Sequence, residues 1–371
     1  MNHELIKEHP TPPPKLKDLH ESSEDGVLFL RRKNTKPFRR VMYVNSYGMA
    51  LAWRLWKEGI YPGNHLWGCL ELALKGYEVL IPEPPSGRRL FKRLKNDWNP
   101  AWIAARHLKA DDIIYCGHNI LFWAPILKQI KAIRCKVTGL LFAREPLIFP
   151  KLYDGVIAHT PVAKKRMDKD YPGVLCSHIS WGMDLDFFPC YPYDPQWALS
   201  SGKTFRDIDI ITQALGGQGI KVTIIHPDKN ILLNKPANFE FRSAKDLRPD
   251  IYLKLAHYYY RYSSVLLLTL MRDPDSRHSI GLTNLFESMA SGRPAIVTRT
   301  SALTSEIDVE KEGVGLFVDP GDGISLRKAA WRLVDNPDEA KQMGQRGREL
   351  CEKYYNIDRF AQGLHQFFER L

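Results

Sequence analysis

The stretch SVLLLTLMRDPDSRHSIGLTNLFESMASGRPAIVT, residues 264–298, decides the fold because it has the pattern of a strand, a loop, a helix and a second strand. The run at 264–270 is apolar and of strand length, and a polar loop follows it. We expect a helix to begin near Gly281 and to end at Ser291-Gly292, before a buried strand at 294–298. A unit of this kind predicts a parallel sheet covered by helices.

The same alternation extends in both directions from this stretch. Short apolar runs rich in β-branched and aromatic residues predict buried strands at 41–46, 77–81, 112–116, 136–142, 154–159, 220–226, 264–270, 294–298 and 315–318. Amphipathic stretches predict helices at 65–76, 207–216, 250–260, 282–292, 323–336, 338–353 and 356–370. We therefore predict an α/β fold of two Rossmann-like, doubly wound domains that face a central cleft.

Changes of composition along the chain set the predicted domain limits. Proline and charge dominate the first residues, and a segment rich in Pro, Tyr and Ser separates the two sets of strands. The predicted divisions are a partly disordered N-terminal tail at 1–36, a first Rossmann-like domain at 37–190, a linker at 191–201, a second Rossmann-like domain at 202–355, and a C-terminal helix at 356–371 that can cross back to the first domain.

The positive charge is concentrated in the first half of the chain. Residues 1–190 contain 29 Lys and Arg against 19 Asp and Glu, whereas the remainder contains 24 against 23, so nearly all of the net charge of +11 belongs to the first half. Such a surface predicts an anionic partner, which is a membrane surface, a nucleic acid or an acidic acceptor. The alternative is that the charge only keeps the protein soluble.

Several classes of protein are disfavoured by the sequence. The chain has no apolar run near the length that spans a bilayer, no signal-peptide pattern, and six scattered cysteines without CxxC spacing. No GxSxG or HExxH motif is present, so hydrolase and zinc-enzyme chemistry lack support. We predict a cytoplasmic protein without a metal site, with peripheral contact to the inner membrane face as a further option.

The start of the helix after the loop has the features of a diphosphate site. Gly281 allows a ligand to approach the backbone closely. The first N–H groups of the helix, at Leu282, Thr283 and Asn284, carry the positive end of the helix dipole. Glu287 lies about a turn and a half further on and can accept two hydrogen bonds from vicinal ribose hydroxyls.

Glu287 also begins the segment ESMASGRP, which resembles the nucleotide-sugar motif of family-4-type glycosyltransferases of the GT-B fold. In that family a glutamate and seven residues precede Glu-Ala-Met-Ala-x-Gly-x-Pro. The resemblance continues over most of the second half of the chain and is weaker in the first half; it rests on residues 314–326, 336–350, 355–364, 61–79 and 181–188. It implies transfer of a sugar from a UDP- or GDP-linked donor to a lipid or glycan acceptor, with retention of configuration and with no metal and no cofactor.

One position departs from the family pattern. Ser279 stands eight residues before Glu287, where many relatives have the first glutamate, which contacts the donor sugar. Some relatives have His-x-x-Gly instead, and His278-Ser279-Ile280-Gly281 resembles that variant. The resemblance therefore places His278 and Ser279 at the donor sugar.

Three residues are candidates for the catalytic step. Lys203 and Arg206 occupy the position of two basic residues that contact the donor diphosphate in the family, where they would stabilise charge on the leaving phosphate. The alternative for both is surface solvation. The resemblance places His118 at the donor sugar or the reacting centre, and the alternative is a loop histidine without a role. If the reaction inverts configuration instead, Asp112, Glu145 or His118 is the candidate base.

Two further segments of the first half are candidates for binding. Gly63-Asn64-His65 begins a helix and is a candidate loop for the acceptor or the donor phosphate. The segment 84–102 interleaves cations and apolar residues, as helices on anionic membranes do. Its candidate membrane contacts are Arg88, Arg89, Phe91, Lys92, Arg93, Lys95 and Trp98. The alternatives are ordinary packing on the sheet and, with less support, binding of nucleic acid.

Three functions follow from these observations. The first is a nucleotide-sugar-dependent glycosyltransferase. The second is a nucleotide-sugar-binding protein without turnover, with Ser279 as the sign of lost chemistry. The third is a sugar transferase that modifies DNA, which the basic first half favours but no base-reading motif supports.

Overall fold

The fold was analysed in a computed structural model, which describes residues 14–45, 48–83, 100–116, 123–141, 149–202, 205–228, 236–247, 250–270 and 281–371. The chain forms two compact units. The N-terminal unit contains the described residues up to Ser180 together with Ile357–Leu371, and the C-terminal unit contains Trp181–Asn356. Each unit has its own sheet.

The sheet of the N-terminal unit has eight strands in the described residues, in the order β1-β2-β4-β3-β5-β6-β7-β8. Strand β2 pairs antiparallel with both β1 and β4, and every other pair of neighbouring strands is parallel. Their bounds are β1 Leu19–Glu24, β2 Val27–Arg32, β3 Arg39–Val44, β4 Tyr77–Pro82, β5 Ile113–Cys116, β6 Lys136–Leu141, β7 Gly155–Ala158 and β8 Cys176–His178.

The first two strands correct the prediction of a tail at 1–36. They form a hairpin whose turn residues, Asp25 and Gly26, both have positive φ, at 50° and 75°. Asp-Gly favours such a turn because its backbone twist matches that of the strands. Leu19, Val27 and Leu30 are buried, so the hairpin contributes to the core.

Short helices lie between the strands of the N-terminal unit. They are α1 Met49–Lys57, α2 Cys69–Leu74, α3 Trp123–Gln129 and α4 Pro161–Asp170, with a 3-10 helix at Gly63–Leu66 and a helical segment at 100–107. Thr160 caps α4 by accepting a hydrogen bond from the N–H of Ala163. Among the described residues, no helix combines the length and the apolar character that crossing a membrane requires.

The sheet of the C-terminal unit is parallel throughout, in the order β11-β10-β9-β12-β13-β14. Its strands are β9 Trp197–Ser201, β10 Val222–His226, β11 Phe239–Ser243, β12 Ser263–Leu268, β13 Ala295–Thr298 and β14 Gly315–Val318. The central strand β9 corrects the prediction of a linker at 191–201. Its residues Ala198 to Ser201 are buried, and β10 and β12 pair with it on either side.

Helices cover this parallel sheet. They are α5 Ile208–Leu215, α6 Ile251–Lys254, α7 Leu282–Ala290, α8 Ser301–Glu306, α9 Gly323–Asp335 and α10 Pro337–Lys353, and a π-helical turn at Leu255–Tyr259 follows α6. Helix α10 packs closely on α7 because Gly344 has no side chain. An added Cβ there would lie 2.1 Å from the carbonyl oxygen of Gly292.

The last helix, α11 Ile357–Phe368, belongs to the N-terminal unit. Its apolar face is buried and includes Phe360, Leu364, Phe367 and Phe368. Gly155 at the start of β7 makes room for it, since an added Cβ would lie 2.7 Å from the ring of Phe367. The side chain of His365 shares a 2.9 Å hydrogen bond with the hydroxyl of Tyr77 in β4.

Candidate functional site

The entry to α7 requires a glycine. Gly281 has φ 95° and ψ −8°, in the left-handed region, and an added Cβ would lie 2.8 Å from Leu268 Cδ2. The N–H of Leu285 donates to the carbonyl of Gly281 at 2.9 Å and makes the first hydrogen bond of the helix. The N–H groups of residues 282–284 therefore precede the helical hydrogen-bond ladder, at the positive end of the dipole.

Glu287 lies on the second turn of α7 and is buried, with 1 % of its surface exposed. Its Oε2 atom accepts a hydrogen bond from the hydroxyl of Tyr260 at 3.0 Å and another from Asn284 Nδ2 at 3.2 Å. Burial raises the pKa of the Glu287 carboxyl to about 7, and the two hydrogen bonds and the charge of Arg206 oppose that increase. The carboxyl can thus change its charge near neutral pH.

Arg206 is the second buried charge of this region, with 4 % of its surface exposed. Its Nε donates to the carbonyl of Ser201 at 2.9 Å, and its Nη2 donates to Asn284 Oδ1. Gly202 makes this position available, since an added Cβ would lie 2.5 Å from Arg206 Nη2. Burial lowers the pKa of Arg206 to about 10, so the guanidinium still carries its charge at neutral pH.

Asn284 connects the two charged side chains. Its Oδ1 accepts from Arg206, while its Nδ2 donates both to Glu287 Oε2 and to Ser201 Oγ, each at 3.2 Å. The five side chains Ser201, Arg206, Tyr260, Asn284 and Glu287 form what we call the Glu287 cluster. It lies where β9 ends and α7 begins, and the carboxyl ends of parallel strands are where ligands of such sheets bind.

Arg293 lies in the turn between α7 and β13 and is hydrogen-bonded to the backbone of Tyr260, a member of this cluster. It is 1 % exposed, and every donor of its guanidinium is used. Nε donates to the carbonyl of Tyr260 at 2.9 Å, and the two terminal nitrogens donate to the carbonyls of Tyr191, Pro192, Arg261 and Gly292. The guanidinium also lies 5.3 Å from the ring centre of Tyr193. Arg293 therefore joins the segment before β9 to the backbone that positions Tyr260.

In the N-terminal unit, the candidate loop Gly63-Asn64-His65 forms most of the 3-10 helix Gly63–Leu66. Asn64 is 1 % exposed, and its two side-chain polar atoms have no hydrogen-bond partner among the described residues. Asp112, a candidate base for an inverting reaction, contacts the backbone. It lies just before β5, where its carboxylate accepts from the N–H of Arg40 at 2.8 Å and from that of Lys109 at 2.7 Å.

Of the candidate residues, hydrogen bonds join Arg206 to Asn284 and Asn284 to Glu287, and Gly281 begins the helix that carries the last two. The candidates His118, Glu145, Lys203, His278 and Ser279 lie outside the described residues, as do Arg88, Arg89, Phe91, Lys92, Arg93, Lys95 and Trp98. Among the described residues, no group of three or more His, Cys, Asp or Glu could hold a metal ion.

Sequence reasoning missed three residues of this region: Ser201, Tyr260 and Arg293. Ser201 falls in the segment that the sequence predicts to be a linker. Tyr260 is the last of three consecutive tyrosines, and the sequence does not indicate which of the three hydroxyls is buried. Arg293 stands between a glycine and a proline in a turn, where an arginine is ordinarily exposed. The signal available for Arg293 was its place inside the motif that contains Glu287.

No protein-family model matches the chain, and no curated protein matches its sequence. Several solved structures match its fold. The Anabaena protein Alr3699/HepE, in complex with UDP and glucose, matches with a TM-score of 0.63 at 12 % identity, over 90 % of this chain and 100 % of that one. Sucrose-phosphate synthase from Thermosynechococcus elongatus matches with a TM-score of 0.66 at 14 % identity, over 90 % and 98 %. A glycosyltransferase from Rickettsia africae ESF-5 matches with a TM-score of 0.61 at 14 % identity, over 91 % and 98 %.

Likenesses at this level of identity establish the fold. The chain has two Rossmann-like domains, each built on a sheet of mainly parallel strands, in the architecture known as GT-B. This confirms the fold class that the sequence predicted.

Proposed function

We propose that this protein is a nucleotide-sugar-dependent glycosyltransferase. The observation that carries the proposal is the Glu287 cluster, in which a buried carboxylate lies about a turn and a half from the open N-terminus of α7. The fold adds support, because HepE, which shares it, has been solved with UDP-glucose. The resemblance of 287–294 to the family-4-type motif points to the same function.

In this proposal Glu287 binds the ribose of the donor. An ionised carboxylate offers about four lone-pair sites, and the described residues use two of them, both on Oε2. Two vicinal hydroxyls can occupy the remaining capacity through charge-assisted hydrogen bonds. A carboxylate held by two donors loses little further conformational entropy when the ligand binds.

The diphosphate would bind at the start of α7, at the N–H groups of Leu282, Thr283 and Asn284. As the bond between the sugar and the diphosphate breaks, negative charge accumulates on the leaving phosphate. Arg206, which holds Asn284, supplies fixed positive charge next to this position. Lys203 is proposed to contact the phosphate directly, and His118, His278 and Ser279 are proposed to contact the sugar or the reacting centre.

The remaining features of the reaction are part of the same proposal. The donor is UDP- or GDP-linked, the acceptor is a lipid or a glycan, and configuration is retained without a metal. Gly63, Asn64 and His65 would contact the acceptor or the donor phosphate, and the buried amide of Asn64 supports a polar role for this loop. The first domain would bind the acceptor and the second the donor.

Peripheral contact with an anionic membrane belongs to this proposal as well. The basic residues at 88–95 support it, and Trp102, which follows them in the helical segment 100–107, is 69 % exposed. Indole side chains are frequent at membrane–water interfaces. Sedimentation with vesicles of phosphatidylglycerol should carry the protein down at low salt and release it at high salt, whereas vesicles of phosphatidylcholine should not bind it.

Thermal unfolding with a panel of nucleotides and nucleotide sugars tests the donor site. A ligand at 100 times its dissociation constant adds about 2.7 kcal/mol of stability, which moves the midpoint of a chain of this size by roughly 2–4 °C. We expect one nucleotide sugar to stabilise the wild type and to have no effect on Glu287→Ala. If no nucleotide shifts the wild type, the proposed donor site is wrong.

A nucleotide-sugar-binding protein without turnover is the second candidate, and Ser279 in place of the first glutamate favours it. Both candidates predict the same thermal shift. Only the glycosyltransferase should release free nucleoside diphosphate from the donor identified in the panel, at a rate that an acceptor increases. Absence of release with all lipid and glycan acceptors tested would favour the second candidate.

A further inference from the structure

Tyr260 belongs to the Glu287 cluster, yet the proposed donor contacts give it no role. It lies immediately after the π-helical turn Leu255–Tyr259, and its side chain is fully buried. Its hydroxyl is 3.0 Å from Glu287 Oε2 and 3.5 Å from Ser201 Oγ. Burial and the nearby Glu287 charge raise the pKa of Tyr260 well above its usual value, so the hydroxyl stays protonated and donates a hydrogen bond to Glu287.

Three hydrogen bonds to its carbonyl oxygen hold the backbone of Tyr260. Its carbonyl oxygen accepts from Arg293 Nε at 2.9 Å, from Ser263 Oγ at 3.0 Å and from the N–H of Ser263 at 3.2 Å. Arg293 donates as well to the next carbonyl, that of Arg261, at 2.6 Å. A tyrosine ring has only two side-chain dihedrals, so a backbone fixed in this way sets the position of the hydroxyl closely.

We propose that Tyr260 is a positioning residue of the nucleotide site: its hydroxyl orients the Glu287 carboxylate and keeps it ionised, and so sets the pH range in which the site binds a ribose. This inference rests on the proposed function, since it takes the ribose contact of Glu287 as given. Tyr260 itself does not touch the ligand in this arrangement.

The direction of the effect follows from the balance of contributions at Glu287. Burial favours the neutral acid, whereas the Tyr260 hydroxyl, Asn284 and the charge of Arg206 favour the carboxylate, and the resulting pKa is about 7. Because the ribose hydroxyls donate hydrogen bonds, the ribose binds the Glu287 carboxylate better than the protonated carboxyl. Affinity should therefore rise with pH through this range in the wild type.

The ionisable side chains near α7 include Arg293, which lies in the turn after the helix, and Tyr355, whose ring stacks on Phe286. Tyr260 and Arg206 face the carboxyl itself. From α10, Arg348 donates to the carbonyl of Ala290 and Cys351 to that of Phe286, so both contact the backbone of α7. The strands β12 and β13 consist of Ser, Val, Leu, Ala, Ile and Thr and carry no titratable side chain.

The experiment measures the dissociation constants of UDP and GDP from about pH 5.5 to about pH 9, a range that spans the titration of a carboxyl near neutrality. The variants are the wild type, Tyr260→Phe, Tyr259→Phe and Glu287→Gln. Tyr259→Phe is the matched control, because Tyr259 is the adjacent buried tyrosine and its hydroxyl has no hydrogen-bond partner among the described residues. Titration of the ligand phosphate is common to all variants and cancels in the ratios of their dissociation constants.

We expect Tyr260→Phe to move the midpoint of this pH dependence upward by about one pH unit, since a hydrogen bond to a charged group is worth at least one tenfold step. Affinity at neutral pH should fall by roughly fivefold, and much of the loss should disappear at the alkaline end, where Glu287 is ionised in both proteins. Tyr259→Phe should follow the wild-type curve. Glu287→Gln should bind weakly with no such midpoint.

Two different results separate the failure of this inference from failure of the proposed function. If Tyr260→Phe is folded and binds with the midpoint of the wild type, Tyr260 does not act through Glu287 and the inference is wrong, although the nucleotide site stands. If Glu287→Gln binds as tightly as the wild type at every pH, the proposed site itself is wrong. Should Tyr260→Phe fail to fold, Ser263→Ala removes one bond from the Tyr260 carbonyl and should give a smaller upward shift; an unchanged midpoint there would also overturn the inference.

Discussion

Two buried arginines of the C-terminal unit differ in what surrounds them. Arg293 donates only to backbone carbonyls, and all of its donors are used. Arg206 instead holds the side chain of Asn284, which leads to a carboxylate with remaining acceptor capacity. A buried charge whose hydrogen bonds all go to the backbone stabilises the fold. A buried charge that is hydrogen-bonded to side chains with remaining acceptor capacity can form part of a binding site.

This comparison predicts the largest effect at Arg293. Replacing it by Met leaves several buried carbonyls without donors, and we expect the free energy of unfolding of the C-terminal unit to fall by about 4 kcal/mol. Arg261→Met is the matched control, because the half-buried Arg261 rests on the rings of Tyr191 and Tyr262, and loss of contacts of this kind costs about 1 kcal/mol. Chemical denaturation measures both. Equal losses in the two variants would contradict the structural role of Arg293.

The second prediction concerns the stability cost of Glu287. Its pKa is raised from 4.5 to about 7 in the folded protein, so the folded state holds a proton that the unfolded state has released. Stability should therefore fall as pH rises from about 4.5 to about 7, by about 3 kcal/mol relative to Glu287→Gln. Denaturation of the two proteins without ligand across this range measures the difference. A difference that does not change with pH would show that the carboxyl is ionised throughout.

The third prediction separates two costs of a side chain at Gly281, which are the steric contact with Leu268 and the left-handed backbone conformation. Gly281→Ala combines a left-handed φ of 95° with a contact at 2.8 Å to Leu268, and we expect about 2 kcal/mol of destabilisation and weaker nucleotide binding. Gly217→Ala is its control, with φ 70° and no atom within 4 Å of the added Cβ, and should lose only about 1 kcal/mol. If both variants lose the same stability, the close approach of Leu268 has no energetic effect.

The sequence predicted the parallel strands well because their signal is local. Runs such as VTIIH in β10 and AIVT in β13 are mostly apolar without alternation, which is typical of strands buried on both faces of a parallel sheet. The strand β9 was missed for the opposite reason. Its residues WALSS contain two buried serines at its end, next to a segment rich in proline, and the hydroxyl of Ser201 accepts a hydrogen bond from Asn284, 83 positions away.

The candidate site could be predicted only in part for a similar reason. Glu287, Asn284 and Gly281 belong to one helix entry, so their spacing alone places them together. Tyr260 reaches the same point from the turn before β12, and Ser201 reaches it from the end of β9, through contacts between residues 27 and 83 positions apart. Spacing along the chain carries no information about such contacts.

The position of α11 has a consequence for the order of events during protein synthesis. Residues 357–368 supply buried rings to the core of the N-terminal unit, yet the ribosome makes them after the whole C-terminal unit. Domains commonly fold in the order in which they emerge, but here the earlier unit must wait for its last helix. Until then, the apolar surface around Gly68 and Gly155 stays uncovered on the nascent chain, so the later unit can finish folding before the earlier one.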